Sequence, residues 1–370
     1  MTATDKVWPP FAPGLRGWVG PGRRGVPGDR AARARAALLL LSVLLALAVC
    51  VGLSAGASDV SAWEAGLGLV TGGEALSARD RLILFEIRLP RVALGVLVGA
   101  ALAFSGAVMQ GLFRNPLADP GIVGVSSGAA LGAVAVIVLG GPLAAAMELG
   151  VVALPVAAFL GALVTTALLY RIATRAGRTS VPTLLLAGIA LGALAGALTG
   201  VMVFVADDGQ LRELTFWSLG SLAGATWEKV FVAGAIIMAS LAAGLWLARG
   251  LDALALGEAV AGHLGRPVQM LKHVSIAAVA AATGAAVSVS GGIGFVGIVA
   301  PHLLRLLIGP SHRYLLPASA LLGASLLLMA DAAARVLVAP AELPIGIVTG
   351  SIGAPFFLWV LLRGRGFTVD

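Results

Sequence analysis

Residues equipped for chemistry are sparse in this chain, and their setting limits what they can do. The four histidines, His263, His273, His302 and His312, are dispersed and form no His-Glu-x-x-His pair. The chain also lacks a Gly-x-Ser-x-Gly nucleophile turn and a Gly-x-x-x-x-Gly-Lys-Ser/Thr phosphate loop. Cys50 is the single cysteine, which excludes an intramolecular disulfide and any cysteine-rich metal site. Asp331 stands one helical turn before Arg335, a spacing at which carboxylate and guanidinium pair. The central apolar stretches otherwise offer hydroxyls and a thioether, Thr199, Thr349, Ser351 and Met202. Such groups can line a path for a solute, but none of them carries a charge. The densest polar feature is the hinge Phe113-Arg-Asn-Pro-Leu-Ala-Asp-Pro120, set between two long apolar runs. Nothing here assembles a catalytic constellation, and no metal or cofactor site is expected.

The elements that must position these groups are membrane spans. Of 370 residues, 59% are hydrophobic and 12% charged, whereas soluble domains carry about 25% charged residues. The 50 glycines have no collagen-like period and sit within the apolar runs, where small residues let helices approach closely. Runs of about 20 apolar residues match the hydrocarbon thickness of a bilayer. Ten are legible: 36–56, 92–112, 121–139, 150–169, 183–205, 230–248, 274–290, 294–308 (broken by Pro301), 315–334 and 344–362. The expected fold is therefore an all-α polytopic membrane protein of ten transmembrane helices over 36–365.

Charge sets the orientation. With both termini in the cytoplasm, eighteen of the 25 Lys and Arg residues fall inside and twelve of the 18 acids outside, as the positive-inside rule requires. The net charge of +7 thus tracks one membrane face and does not mark a nucleic-acid surface. Residues 1–35, rich in Pro, Gly and Arg, are expected to be a disordered basic cytoplasmic tail touching anionic membrane lipid. The 21-residue first run is long for a signal core and is taken as an uncleaved anchor, although Ser54-Ala-Gly-Ala57 resembles a peptidase site. The outer loops 57–89 and 206–229, with Trp63, Trp217 and Trp227, should form short interfacial helices. The inner stretch 252–265 should fold as two short helices broken at Gly257 or Gly262. Ion-coupled carriers keep ionisable groups near the midplane. Their scarcity here points to an external energy source, with an ion-coupled secondary transporter as the alternative.

Four stretches carry a family resemblance. They are Arg88-Leu-Pro-Arg91, Gly106-Ala-Val-Met-Gln110 with Arg114-Asn-Pro-Leu-Ala-Asp-Pro-Gly121, Gly291-Gly-Ile-Gly-Phe-Val-Gly-Ile-Val-Ala-Pro-His302, and Ala341-Glu-Leu-Pro-Ile-Gly-Ile347. In this order and spacing the chain resembles permease subunits of FecCD-type ABC importers, which take up iron-siderophores, heme and vitamin B12. The resemblance implies an inverted-repeat, type II importer architecture and a homodimer, with the path running between the copies along spans five and ten. It also implies two ATP-binding cassette subunits, a periplasmic substrate-binding protein and location in the bacterial inner membrane. By resemblance, Arg88, Arg91 and Arg335 receive acids of the binding protein. Asn115 and Leu117 form a cytoplasmic gate, Thr179 and Ser180 a second one, and Leu256, Gly257 and Glu258 contact the ATPase. Spans five and ten place Thr199, Met202, Thr349 and Ser351 along the path. His302 is expected to pack, not to ligate.

The run Leu117-Ala-Asp-Pro-Gly121, followed by Gly124-Val-Ser-Ser-Gly128, looks more like heme and B12 permeases than like many siderophore permeases. Heme is the favoured cargo, with ferric siderophore and then cobalamin as alternatives. The expected path is a weakly binding conduit whose selectivity comes from the binding protein.

Overall fold

The computed structural model describes residues 27–56, 77–146 and 153–363. Among them are twelve helices: α1 (Pro27–Ser54), α2 (Ala78–Phe113), α3 (Val125–Ala146), α4 (Ala153–Ala173), α5 (Val181–Val205), α6 (Asp208–Ser218), α7 (Trp227–Ala255), α8 (Glu258–His263), α9 (Val268–Ser290), α10 (Val296–Ile308), α11 (His312–Val336) and α12 (Ile345–Arg363). Strands β1 (Thr174–Arg175) and β2 (Arg178–Thr179) form a small antiparallel hairpin between α4 and α5. Seven helices, α1, α2, α4, α5, α7, α9 and α11, are long and apolar enough to cross a membrane. The other three apolar helices have shorter qualifying stretches, Val125–Gly140, Val296–Ile308 and Ile345–Trp359. Each of the ten apolar runs in the sequence falls on one of these helices.

The bundle is organised around α2, which is buried for most of its length and packs against α7, α9, α10 and α11. Glycine makes this density possible. A Cβ on Gly106 of α2 would run into the Gly297 carbonyl of α10, and one on Gly161 of α4 into the Gly128 carbonyl of α3. With little hydrophobic drive between helices in lipid, such backbone approach is the main source of packing energy. α5 is the opposite case: its buried residues are only Leu184, Ala187, Gly188 and Ala195. Phe204 at its far end is 88% exposed.

Local signals explain the helix ends. α2 closes with Arg114 at φ +50°, and Asn115 N–H donates back to the Gln110 carbonyl at 3.2 Å. This is a Schellman-type stop with arginine in the position that usually takes glycine. Ser180 caps α5, and Asp207 with Gln210 forms a reciprocal capping box at the start of α6. α6 is the short helix expected within loop 206–229. Loop 57–89 differs: from Ala78 the chain already belongs to α2, through a π-helical stretch at Ile83–Arg88. The backbones between helices are laced together at the α6 end. Ser221 N–H donates to the Ser290 carbonyl at 2.8 Å, and Ile345 and Gly346 N–H donate to Gly220 and Leu219 carbonyls at 3.0 and 2.9 Å.

Two further boundaries shift. α1 starts at Pro27, so Arg30, Arg33 and Arg35 belong to a helix and not to a disordered tail. Apolar periodicity marks only the lipid-deep part of a helix, whereas hydrogen bonding carries the same helix into the polar layer. In 252–265, α7 continues through Ala255 and only α8 is a separate short helix. The rest of the basic tail, Trp63 and Arg365 lie outside the described residues.

Candidate translocation machinery

Two polar clusters form at opposite ends of the bundle. At the α6 end, Arg91 reaches two carboxylates. Its Nε and Nη2 donate to Asp331 Oδ1 at 3.0 and 2.9 Å, and its Nη1 and Nη2 donate to the Glu342 oxygens at 3.0 and 2.9 Å. Arg335 Nη2 lies 3.0 Å from Asp331 Oδ2, so one buried carboxylate joins two guanidiniums. Arg335 also donates to the carbonyls of Gly52 and Ala55, and Arg88 Nη1 donates to the Leu53 carbonyl at 2.7 Å. These carbonyls belong to the end of α1, where a helix leaves acceptors unpaired and carries partial negative charge. Arg88 and Arg335 therefore cap α1 from α2 and α11.

This geometry gives the three arginines expected at the docking surface partners within the chain. Arg88, Arg91 and Arg335 are 4%, 7% and 6% exposed and engaged within the protein. The sequence cannot show that α1 and Asp331 would claim them. The group that the cluster displays is an acid: the Glu342 side chain is 41% exposed.

The opposite end gathers the hinge, the hairpin, α8 and the starts of α9 and α11. A Cβ on Gly257 would lie 4.0 Å from Arg114 Nη1, which brings the hinge and α8 together. Asn115, exposed, accepts the Leu117 N–H on its Oδ1 at 2.9 Å, an Asx turn that fixes the half-buried Leu117 at the hinge tip. Asp119 Oδ1 accepts the Gly121 N–H at 2.8 Å and starts the 3-10 turn Pro120–Val123. Ser180 is exposed beside α5, whereas Thr179 is buried. The Thr179 hydroxyl pairs with that of Thr174 at 2.9 Å, and its N–H donates to Gln269 Oε1 at 2.9 Å. Thr179, expected with Ser180 at a second gate, is thus a buried joint held by Thr174 and α9.

Lys272 is the residue that sequence inspection missed. It is 2% exposed, and its Nζ donates to the Thr179 carbonyl at 2.7 Å and meets Glu258 Oε1 at 2.8 Å. The hairpin and α8 are therefore bolted through one ammonium. Nearby, the Tyr170 hydroxyl meets His273 Nε2 at 2.7 Å, tying α4 to α9. Asp252 accepts the His312 N–H and contacts its Nδ1, both at 2.7 Å, tying α7 to the start of α11. The ATPase-contact residues expected from the sequence are accessible: Leu256 is 66% exposed and the Glu258 side chain 44%. Gly257 holds φ +111°, open to glycine at little strain.

Along the expected path, Thr199 and Met202 are half-buried on α5, and Ser351 is exposed on α12. Thr349 on α12 is buried, with its hydroxyl turned back to the Gly346 carbonyl at 3.3 Å. No cluster of three or more His, Cys, Asp or Glu side chains able to hold a metal occurs among the described residues.

The FecCD transport family model matches residues 44–363. The chain belongs to the FecCD transport family. As a FecCD permease it is a multi-pass transport component of an ABC importer, which displaces the ion-coupled alternative. It is 50% identical to the hemin transport system permease HmuU of Yersinia pestis over 76% of this chain and 84% of that one. It is 43% identical to the vitamin B12 import permease BtuC of Escherichia coli O9:H4 over 89% and 95%. A solved structure described as an inward-facing metal-chelate type ABC transporter superposes with a TM-score of 0.78 at 33% identity, covering 88% of this chain and 98% of that one.

Proposed function

We propose that this FecCD permease conducts heme across the bacterial inner membrane into the cytoplasm, as a homodimer with two ATPase subunits and a periplasmic binding protein. The observation that favours heme is the 50% identity to the hemin permease. Cobalamin is the second reading, favoured by the longer match to the vitamin B12 permease. The path would run between two copies along the faces that α5 and α12 leave uncovered, past Thr199, Met202 and Ser351. A surface so weakly polar lets a large, partly apolar solute pass without holding it, and leaves affinity to the binding protein.

At the cytoplasmic end, the ATPase engages Leu256, Gly257 and Glu258, and Leu117 closes the path while Asn115 and Ser180 shape its rim. Lys272 transmits the motion. If the motor draws Glu258 away, a buried ammonium loses its counter-charge, a change that costs several kcal/mol. The Thr179 hairpin and the start of α5 must then move with α8 to keep the pair. Lys272 acts here as a positioning residue and touches neither ATP nor cargo.

The test is ATP-driven uptake in proteoliposomes containing the permease, its ATPase and its binding protein, offered heme, ferric siderophores and cobalamin in turn. Heme uptake above the other two is the expected result. Preferential cobalamin or siderophore uptake overturns the heme reading. Recovery of tightly bound, stoichiometric heme on the isolated permease overturns the weak-conduit reading.

A further inference from the structure

At the end that carries α8, a cavity of about 450 Å³ is lined by Arg249, Arg266 and Arg313 together with Trp246, Pro267 and Leu271. None of the three guanidiniums meets a carboxylate within ion-pair distance among the described residues. Asp252, the acid on the same stretch of α7, is already taken by Ser311 and His312. Arg313 lies 5.7 Å from the Tyr314 ring centroid, a contact that does not neutralise it. Three positive groups around one concavity repel each other unless an anion sits among them, and guanidinium geometry suits the oxygens of a phosphate.

The cavity adjoins an apolar groove of about 360 Å³ between α7 and α11, with Leu245, Ala248 and Arg313 common to both. Phe104, Leu241, Gly244, Leu316 and Ala320 line this groove. Its depth depends on Gly244, where a Cβ would strike the Phe104 ring. Leu245 at its edge is 84% exposed and Trp246 48%, a lipid-facing leucine beside an interfacial tryptophan. A positive pocket with room for a phosphorylated headgroup thus opens onto a trough for a hydrocarbon chain, at the end where the sequence concentrates Lys and Arg. We propose that this is a binding site for an anionic phospholipid of the cytoplasmic leaflet, with its phosphate among Arg249, Arg266 and Arg313 and an acyl chain along α7 and α11. Arg266 is also tied to the segment proposed to face the motor, because its main-chain N–H donates to the Ala261 carbonyl of α8 at 3.0 Å.

The test is native mass spectrometry of the assembled importer after reconstitution with phosphatidylglycerol, cardiolipin or phosphatidylcholine. Anionic lipid should stay bound at least roughly tenfold better than phosphatidylcholine, and the triple variant R249Q/R266Q/R313Q should abolish that preference. Ala320→Phe fills the groove but keeps all three arginines, and it should release the lipid as well. Equal retention of phosphatidylcholine overturns the proposal, as does retention of anionic lipid by both variants. Displacement of the lipid by inorganic phosphate shows a free-anion site and overturns it too. Loss of the lipid whenever the ATPase subunits are bound assigns the cavity to the motor and likewise rules out a lipid site.

Discussion

Arg91 shows how much a single buried side chain can hold. It neutralises Asp331, which is fully buried, and aligns Glu342 at the surface. Removing one partner of a buried pair strands the other charge, and typical losses are about 3–5 kcal/mol. Arg91→Ala should therefore lower the unfolding midpoint of the purified permease sharply, and adding Asp331→Asn should recover part of the loss. If Arg91→Ala leaves thermal stability unchanged and weakens only the binding-protein complex, docking is the side chain's role after all. The Asp331–Arg335 pair was legible in the sequence because it is local, one turn apart on a single helix. The Arg91–Asp331 bond was not legible, because it joins residues 240 positions apart and only the bundle brings them together.

At the scale of elements, local punctuation was readable and long-range ties were not. The hinge announces itself through Asn115, Pro116, Asp119 and Pro120, whose side chains and fixed φ angles shape the chain within a few residues. The apolar runs announce the helices, though not their ends, since α1 begins at Pro27 in polar sequence. Thr179 and Lys272 are separated by 93 positions, and no period or motif links them. The tie they form makes a sharp expectation. In proteoliposomes, Lys272→Met should assemble with its ATPase and hydrolyse ATP, yet the cargo moved per ATP should fall by roughly tenfold, the equivalent of about 1.4 kcal/mol of lost coupling. Lys272→Arg should restore much of it. An unchanged ratio of transport to hydrolysis in Lys272→Met would remove Lys272 from the coupling route, whereas failure of every variant and the wild type to transport would instead remove the choice of cargo.

For the whole molecule, the two polar clusters sit at opposite ends of one bundle, and the proposed function assigns the α8 end to the cytoplasm. A cysteine introduced at Ala259 on exposed α8 should react with a membrane-impermeant maleimide only in inverted vesicles, against a background in which Cys50 is replaced by serine. Labelling from outside intact cells would reverse the orientation and exchange the proposed faces for motor and binding protein. The caps on α1 carry a consequence for how the chain is made. The Leu53 carbonyl meets Arg88 early, but those of Gly52 and Ala55 wait for Arg335, 280 or more residues downstream, and the side of α1 packs chiefly on α11. Helix α1 thus completes its seat only after α11, 280 residues further along the chain, has been threaded into the bilayer.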